Sequence, residues 1–450
     1  MNNVLDLFDQ TVFVGERATG ATNLLQCVWV YDRAIDIDGL RRFHHHLRRG
    51  RLSRRIERSP LPFGRHRWVT PSDQPKLEIV ATPRPRAEFD AWLTEQANTP
   101  LDAEHGPGWH LAALPFTDGG TGVSLVTSHC LTDGVGLCEA LAAATAGQHD
   151  PITWPAARSR GRWRALREDT RQTARDLPAI GRAIIAAAQF SRRGRGGDAE
   201  APASRAVPAR GDKPITLPTA TIFVDADEWD ARAHALGGTS NTLLAAFAAR
   251  LAHGAARVTT DGAVAVTIPV NERTPGDTRA NAITNVDITV DPTTATTDLR
   301  AIRNATKHAL ICADEVTNER WGLLPLVPLL PQWLVRRCVG VSANGAASVV
   351  SSNLGVVNSA AYRPDGTDAD SFVMKPLGPG VTKATMHRLG GLLVLLSGRT
   401  PGQVFVSVLA YQPGRSNSND ALWRNLSHAL SDFSLTATTS SEAITMGAER

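Results

Sequence analysis

The first 150 residues alternate between strand-like and helix-like patterns of apolar positions. Three short runs rich in β-forming residues predict strands at 24–31, 109–116 and 122–129. The last two are joined by the turn TDGGT, which is typical of a β-hairpin. Two amphipathic runs predict helices, one over 39–49 that Asp38 caps and that ends at Gly50, and one over 136–147.

The chain beyond residue 214 repeats this mixture of strands and helices. Its predicted strands are 221–226, 263–270, 285–290, 347–353, 390–398 and 403–411. Its predicted helices, the first of which opens with a Ser240–Asn241 cap, are 240–252, 298–311 and 420–434. Between the two patterned regions, 156–190 is helical and basic. The stretch 191–214 combines Gly, Pro, Arg and Ala without apolar periodicity, which predicts a linker.

These patterns predict an α/β protein made of two halves. With 450 residues the chain is longer than a single hydrophobic core usually grows. Its 42% hydrophobic and 20% charged residues are typical of a globular protein. We therefore predict a first half over 1–190, a linker or crossover over 191–214, and a second half over 215–450.

Composition narrows the classes of function. A net charge of +4 over this length does not favour a nucleic-acid partner. The five cysteines include no pair with metal-ligand spacing, which indicates reduced thiols and no metal site. The N-terminus lacks the pattern of a signal peptide, and three prolines interrupt the apolar stretch 321–335, so an ordinary spanning helix is not expected there. We expect a cytoplasmic protein without a transmembrane segment, with peripheral contact to a membrane left open.

One segment, SHCLTDGVG over 128–136, carries candidate chemistry. A strand delivers His129, a tight loop follows, and Asp133 and Gly134 lead into a helix. An imidazole at the end of a buried strand can face a cavity and take a proton from a hydroxyl or amine as that group attacks a carbonyl. Asp133 is placed to stiffen the loop by pairing with an arginine or capping backbone N–H groups. Gly134 lets the chain turn where a Cβ would clash.

The same residues have a simpler interpretation, in which His129 only ends a strand and Asp133 and Gly134 form an ordinary turn. For an isolated H-x-x-x-D-G pattern, that interpretation is the better one. Here the motif follows a hairpin and precedes a helix of small residues in the first half of a two-domain chain. This setting favours the catalytic interpretation.

In this setting the motif resembles that of an acyltransferase superfamily. Its members include chloramphenicol acetyltransferase, the condensation domains of nonribosomal peptide synthetases, the BAHD acyltransferases, the polyketide-associated acyltransferases of mycobacteria and the bacterial wax ester synthase/diacylglycerol acyltransferases. Residues 5–18 are similar to the family's opening helix, and 35–60 and 64–69 to its early helix, arginine-rich turn and tryptophan-ended strand. The run GGTSNTLLAAFAARLA (237–252) is similar to the helix that opens the second half of the wax ester synthase group, and PVNER (269–273), Asn285 and SSNLG (351–355) resemble the P-V-x-x-R, Asn and N-x-x-G elements of that half.

The resemblance implies two chloramphenicol acetyltransferase-like domains in a V shape, each a mixed sheet flanked by helices, with an active-site channel at their interface. It implies direct transfer with His129 as general base and no covalent acyl-enzyme. The co-substrate would be acyl-CoA or a phosphopantetheine-bound acyl group, with no covalently bound cofactor. Asp133, Gly134 and Arg273 would support the motif, with Asp133 salt-bridged to Arg273. The residues expected to line or brace the channel are Ser128, Asn285, Asn353 and Gly355.

Three departures from the family pattern leave the subfamily open. Many members carry a second histidine where this chain has Ser128. The wax ester synthase group usually has Asn-Asp where this chain has Asn241 and Thr242. The D-F-G-W-G element of the condensation domains and BAHD enzymes has only SSNLG as its counterpart.

Other patterns have weaker functional interpretations. Cys130 is disfavoured as a nucleophile because adjacent strand residues point to opposite faces. The His44–His46 run fans over about 200° of a helix, too wide an arc for one metal ion. The arginine-dense run 41–58 fits a solvated surface better than a site for CoA phosphates or an acidic carrier protein. The basic region 158–210 fits a crossover better than a membrane contact, and 321–330 fits an acyl tunnel and a packed core equally well.

The sequence therefore predicts an acyltransferase that moves an acyl group from a CoA or carrier-protein thioester to an alcohol. The acceptor would be a small molecule or a lipid, and an acyl or peptidyl carrier protein is a further candidate partner. Two alternatives stay open. One is a stand-alone condensation enzyme that forms an amide from carrier-bound substrates. The other is a catalytically silent member of the superfamily that serves as a binding or recruitment platform.

Overall fold

The computed structural model describes residues 3–148, 152–193, 213–315, 321–336 and 349–439. Within these ranges the chain forms two large sheets, of five and seven strands, and a ribbon of two strands. Helices pack against both large sheets. The predicted fold class, α/β with mixed sheets flanked by helices, is confirmed.

The elements are numbered along the chain. The strands are β1 (Leu24–Tyr31), β2 (Arg55–Glu57), β3 (Arg67–Val69), β4 (Leu77–Ile79), β5 (Trp109–Pro115), β6 (Thr121–Ser128), β7 (Thr219–Asp225), β8 (Val264–Asn271), β9 (Ile283–Val290), β10 (Val349–Val356), β11 (Ser371–Leu377), β12 (Leu392–Thr400), β13 (Gln403–Tyr411) and β14 (Ala437–Thr439). The α-helices are α1 (Leu7–Thr19), α2 (Ile37–Leu47), α3 (Phe89–Ala97), α4 (Gly134–Thr145), α5 (Arg162–Arg193), α6 (Ala226–Ala235), α7 (Ser240–Gly254), α8 (Arg300–Glu315), α9 (Lys383–Leu389) and α10 (Asn419–Asp432). Short 3-10 helices lie at Arg86–Glu88, Thr294–Thr296, Trp321–Leu329 and Ser359–Tyr362.

The first sheet has the strand order β11-β1-β6-β5-β4. Strand β1 is buried along its whole length and pairs antiparallel with both β11 and β6. Strands β5 and β6 form the antiparallel hairpin that the TDGGT turn predicts. The strands predicted at 24–31, 109–116 and 122–129 are thus confirmed. Because β6 is buried throughout, the residue that follows it starts from inside the first half.

The second sheet has the strand order β14-β7-β13-β12-β10-β8-β9. Strand β10 runs parallel to β8 and β12, while the other neighbours in this sheet are antiparallel. Helix α7 packs on this sheet and is buried over most of its length, because its alanines let the backbone approach closely. The six strands predicted for the second half are present as β7, β8, β9, β10, β12 and β13, apart from residues 347 and 348, which lie outside the described residues.

One strand of the first sheet comes from the second half of the chain. Strand β11 pairs antiparallel with β1, and nearby the indole N–H of Trp29 on β1 donates to the carbonyl of Ala361 at 3.0 Å. The sequence analysis predicts no strand here, because Lys375 and Pro376 break the run of β-forming residues. Pairing with β1 supplies the stabilisation that the local sequence lacks.

Two helix starts differ from the sequence prediction. Helix α2 is capped by Asp36, whose carboxylate accepts from the backbone N–H of Asp38, so Asp38 lies in the first turn and is not the cap. Helix α7 is capped by Thr239 in a capping box with Thr242, and not by the Ser240–Asn241 pair. Each true cap is another short polar residue one or two positions earlier, and only the backbone conformation distinguishes it.

Of the region 156–190 predicted to be helical, 156–161 is not helical, and helix α5 begins at Arg162 and runs through Arg193, three residues into the predicted linker 191–214. The greater part of that linker, 194–212, lies outside the described residues. The apolar stretch at 321–335 contains the 3-10 helix Trp321–Leu329, because its prolines remove the hydrogen bonds of a regular α-helix. No helix in the described part of the chain is both long enough and apolar enough to cross a bilayer.

We predict that two helical glycines respond in opposite ways to alanine. In Gly39→Ala on α2, the new Cβ would lie 2.0 Å from the carbonyl oxygen of Asp365, so the free energy of unfolding should fall by about 1–3 kcal/mol. In Gly181→Ala on α5, the Cβ meets no atom within 4 Å, so the free energy of unfolding should rise by about 0.5–1 kcal/mol. Urea denaturation measures both, and equal effects would contradict the packing of α2 against Asp365.

Candidate active site

The backbone of His129 is held from both sides directly after β6. Its N–H donates to the carbonyl of Asn23 at 2.9 Å, and its carbonyl accepts from the side-chain amide of Asn281 at 3.1 Å. The imidazole itself is half-buried. Within the described ranges, no hydrogen bond reaches its ring nitrogens. The main chain therefore fixes where the side chain starts, while no described residue bonds to the ring nitrogens.

The neighbours of His129 are occupied with the turn. The buried hydroxyl of Ser128 accepts from the backbone N–H of Cys130 at 3.2 Å. The Cys130 thiol donates to Glu16 on α1 at 3.4 Å. Burial raises the pKa of the Cys130 thiol well above its ordinary value, and the nearby Glu16 carboxylate adds to this. The thiol is therefore protonated at neutral pH, which agrees with the expectation that Cys130 is not a nucleophile.

The carboxylate of Asp133 is buried and makes all its hydrogen bonds inside the protein. It caps α4, and its Oδ1 accepts from the backbone N–H of Gly136 at 2.6 Å. Its Oδ2 accepts from Arg273 at 2.7 Å and from the backbone N–H of Ala282 at 2.8 Å. The side chains of Asp133 and Arg273 are only 4% and 1% exposed. Asp133 thus orders the loop after His129 without an oxygen to offer to a substrate.

Arg273 closes the loop between β8 and β9, residues 272–282, which we call the crossing loop. Besides Asp133, its guanidinium reaches two carbonyls of that loop, Arg279 at 3.0 Å and Ala280 at 2.9 Å. The backbone N–H of Asp133 in turn donates to the carbonyl of Ala280 at 2.9 Å. The ion pair therefore joins the start of α4 in the first half to the end of β8 in the second.

Asp9 on α1 holds the same loop from another side. Its carboxylate accepts from the backbone N–H groups of Ala280 and Asn281, both at 2.8 Å, and from the side-chain amide of Asn281 at 3.1 Å. That amide is the one that also donates to the carbonyl of His129. Burial raises the pKa of Asp9 to about 6, against the opposing effect of these hydrogen bonds. The sequence analysis did not single out Asp9 or Asn281, because in sequence they are ordinary polar residues of a helix and a loop.

Arg54 is a third buried charged residue that contacts the crossing loop. It donates to the carbonyls of Thr278 and Leu131, both at 2.6 Å, and its guanidinium lies 4.1 Å from the ring centre of Trp68. The side chain is buried, whereas the sequence analysis treats the run 41–58 as a solvated surface. Nothing in the sequence separates this arginine from its exposed neighbours.

Two glycines allow close approach at the start of α4. A Cβ on Gly134 would lie 2.7 Å from the side chain of Leu354 on β10. A Cβ on Gly136 would lie 2.9 Å from the guanidinium of Arg273. Gly134 does not adopt a positive φ, so its role is close packing and not a tight turn. Gly136, which was not among the predicted site residues, leaves room for the ion pair.

The remaining predicted site residues lie on the second sheet. On β10, the side chain of Asn353 bonds to Asn241 at the start of α7 and accepts from the backbone N–H of Gly355 at 2.9 Å. Gly355 has φ +71° at a register shift of the strand. Asn285 lies on β9, opposite Pro269 and separated from β10 by β8. That these three residues and Ser128 line a channel to His129 stays a prediction.

The histidines of α2 do not converge. His44 is buried with a ring nitrogen 3.0 Å from the carbonyl of Pro75, and burial lowers its pKa to about 4. The His45 side chain contacts Arg49 on the same helix. In the described part of the chain, no group of three His, Cys, Asp or Glu residues is placed to hold a metal ion.

No protein-family model and no curated protein sequence matches this chain. Solved structures are similar over its whole length. The first condensation domain of the calcium-dependent antibiotic synthetase, in complex with a substrate analogue, is 16% identical with a TM-score of 0.57, covering 100% of this chain and 98% of that one. Polyketide synthase associated protein 5 from Mycobacterium tuberculosis is 16% identical with a TM-score of 0.55, covering 96% and 98%. A mutant of the starter condensation domain of rhizomide synthetase is 14% identical with a TM-score of 0.55, covering 96% and 94%.

These likenesses show the fold. The chain shares its fold with these condensation domains and with the polyketide synthase associated protein, and the resemblance inferred from its motifs is confirmed at the level of the fold. The agreement extends over both halves, including the second sheet, where the sequence motifs are least specific.

We predict that the buried ion pair contributes far more to stability than an exposed one in the same loop. Arg273→Met leaves the buried Asp133 carboxylate without its cation, so the free energy of unfolding should fall by about 3–5 kcal/mol. Arg279 is 32% exposed and forms ion pairs with Asp277 and Glu272. Arg279→Met removes both pairs and should lower the free energy of unfolding by less than about 1 kcal/mol. Chemical denaturation compares the two variants, and similar losses would contradict the role given to Asp133 and Arg273.

We predict that Glu16 makes the stability depend on pH near neutrality. Burial raises its pKa from 4.5 to about 7, so the folded chain binds the proton more tightly than the unfolded chain. Its contribution is present at about pH 4.5 and is lost as pH rises through about 7. Between pH 5 and pH 8, the free energy of unfolding of the native protein should therefore fall by about 1–3 kcal/mol relative to Glu16→Gln. Parallel pH profiles of the two proteins would refute this assignment.

Proposed function

We propose that this chain transfers an acyl group from a CoA or carrier-protein thioester to an alcohol, with His129 as the general base. The supporting observation is the imidazole after β6, which is half-buried and without a hydrogen bond to its ring nitrogens from any described residue, on a backbone held from both sides. Such a ring is positioned but not committed to a structural contact. The condensation domains and the polyketide synthase associated protein that share the fold support acyl transfer as the general chemistry.

In the proposed reaction, neutral His129 accepts the proton of the acceptor hydroxyl as that oxygen attacks the thioester carbonyl. A C–O bond forms and gives a tetrahedral intermediate. When the intermediate collapses, the C–S bond breaks and the thiolate leaves. The imidazolium returns its proton to the sulfur, so that the products are an ester and a thiol and the histidine is regenerated. No acyl group is carried on the protein.

Asp133, Gly134 and Arg273 take supporting roles in this proposal. Asp133 does not act on the substrate, because its carboxylate is buried and accepts three hydrogen bonds from within the protein. The pair with Arg273 keeps the crossing loop in place, and Asn281 of that loop holds the carbonyl of His129. Misplacement of a catalytic group by about 1 Å can cost two orders of magnitude in rate, so this support bears directly on turnover.

Amide formation from carrier-bound substrates is a second candidate. Condensation domains are among the solved structures with this fold, over the whole length of the chain. The same base would then take a proton from an amine in place of an alcohol. We favour the alcohol because 237–252 and 269–273 are similar to the wax ester synthase group. A silent binding platform is the remaining alternative.

The decisive variant is His129→Ala. Wild-type protein is incubated with a panel of acyl-CoAs and carrier-bound acyl groups, each with alcohols and amines, and release of free thiol is followed. Loss of the general base should lower kcat by about 10²–10⁴-fold, while Cys130→Ala should stay within a few-fold of wild type. Turnover of His129→Ala close to wild type would refute the mechanism.

The donor and acceptor panel separates the alternatives. Turnover with alcohols supports ester formation, and turnover only with amines and carrier-bound donors supports the condensation enzyme. A folded wild-type protein that releases no thiol with any donor and acceptor would favour the binding platform.

A further inference from the structure

Helix α5 presents a stripe of large apolar side chains to solvent. The exposed fractions are 84% for Trp163, 37% for Leu166, 58% for Leu177, 56% for Ile184 and 60% for Ile185. At 100° per residue, all five positions fall within an arc of about 100°. Single exposed apolar residues are common on proteins, but here five lie on one face of one helix, in two groups separated by the exposed Thr170 and Ala174.

Arginines border this stripe. Arg167, Arg171, Arg175 and Arg182 are exposed and fall within an arc of about 80° that begins at the edge of the apolar arc, where Arg167 shares the angle of Ile185. In the described part of the chain, none of the four forms an ion pair.

The acidic residues of α5 mostly face the protein. Asp169 is buried and pairs with Arg67 at 3.0 Å and with Arg160 at 2.9 Å. Asp176 lies 3.5 Å from Arg65. The inner face of α5 is thus neutralised by the first half, and the outer face is left positive and apolar.

The apolar surface continues beyond α5. A narrow crevice of about 20 Å³ next to the helix is lined by the apolar residues Ile180, Phe63 and Leu329, together with Arg65, Thr173 and Asp176. Phe63 is 44% exposed and Leu329 is 40% exposed. Exposed apolar side chains therefore also lie beside α5, next to the polar residues that it packs against.

We propose that this outer face of α5 docks the protein on an anionic lipid bilayer. An exposed amphipathic helix with tryptophan and aliphatic residues on one side and arginines beside them is suited to lie in the headgroup region, with its apolar face inserted and its arginines at lipid phosphates. The five apolar positions span residues 163–185, with about 33 Å of helix between the first and the last, longer than a local contact with a small partner needs. The stretch 194–212 that follows carries only Val207 as a large apolar residue, so it offers no apolar partner for the stripe.

The test uses the full chain and sedimentation with vesicles. Vesicles of phosphatidylcholine alone are compared with vesicles that also contain phosphatidylglycerol, at low and high salt. We expect binding to the anionic vesicles, weakened by salt because the arginines act through screened charges. Binding to both vesicle types alike, or to neither, overturns the proposal.

Matched variants locate the surface. Trp163→Ser with Ile184→Gln and Ile185→Gln should weaken vesicle binding by about tenfold or more, because each inserted side chain contributes apolar area. The control is Leu310→Gln with Ile311→Gln on α8, whose side chains are 38% and 47% exposed. The control variant should bind like wild type. Equal losses in the two variants would contradict a site on α5.

Charge variants test whether the arginines of α5 contribute to lipid binding. Each of Arg171→Gln, Arg175→Gln and Arg182→Gln should weaken binding to the anionic vesicles by about fivefold, with Arg303→Gln on α8 as the matched control. Unfolding temperatures of all variants confirm that folding is intact.

Two other binding partners of this face would give different results, and either result overturns the proposal. A second copy of the chain gives a dimer in sedimentation velocity that the α5 variants dissociate, and an acidic carrier protein gives saturable binding without vesicles that the arginine variants abolish.

Discussion

The buried ion pair between Asp133 and Arg273 is the contact on which the arrangement around His129 depends. Two charges removed from water cost several kcal/mol each unless they are paired and hydrogen-bonded. Here the carboxylate accepts three hydrogen bonds and the guanidinium reaches two further carbonyls, so the desolvation cost is offset in one geometry only. Because one partner starts α4 and the other follows β8, that geometry also sets how the two halves meet.

The crossing loop extends this pair into a network. Asp9 holds the loop from α1, Arg54 holds it from the arginine-rich turn, and Asn281 connects it to the carbonyl of His129. In such a low-dielectric interior each hydrogen bond is stronger, and an unpaired member is more costly, than in water. The position of the candidate base is therefore linked to the packing of the second half, and not only to the strand that carries it.

Helix α5 contacts the first half of the protein with one face and solvent with the other. Its inward carboxylates neutralise arginines of the first half, while its outward face combines unpaired arginines, among the residues described, with large apolar side chains. If that face rests on lipid, a water-insoluble acceptor could reach the protein without crossing bulk water. The two proposals would then fit one another, but neither depends on the other.

The sequence by itself determined the α/β class, nine of the fourteen strands in the described residues, and the candidate base. These follow from local signals, since turn residues, periodicity and the H-x-x-x-D-G spacing all lie within short windows. Among the described elements, it did not predict β11, α3, α6, α9 or the short strands β2, β4 and β14, because their runs are too short or too weakly patterned to give a local signal. The motif predicted His129 and Asp133 as site residues, whereas nothing in the sequence pointed to Asp9, Arg54 and Asn281. Only the tertiary structure decides which of many charged residues leaves water, because desolvation and pairing are properties of the packed chain and not of neighbours in sequence.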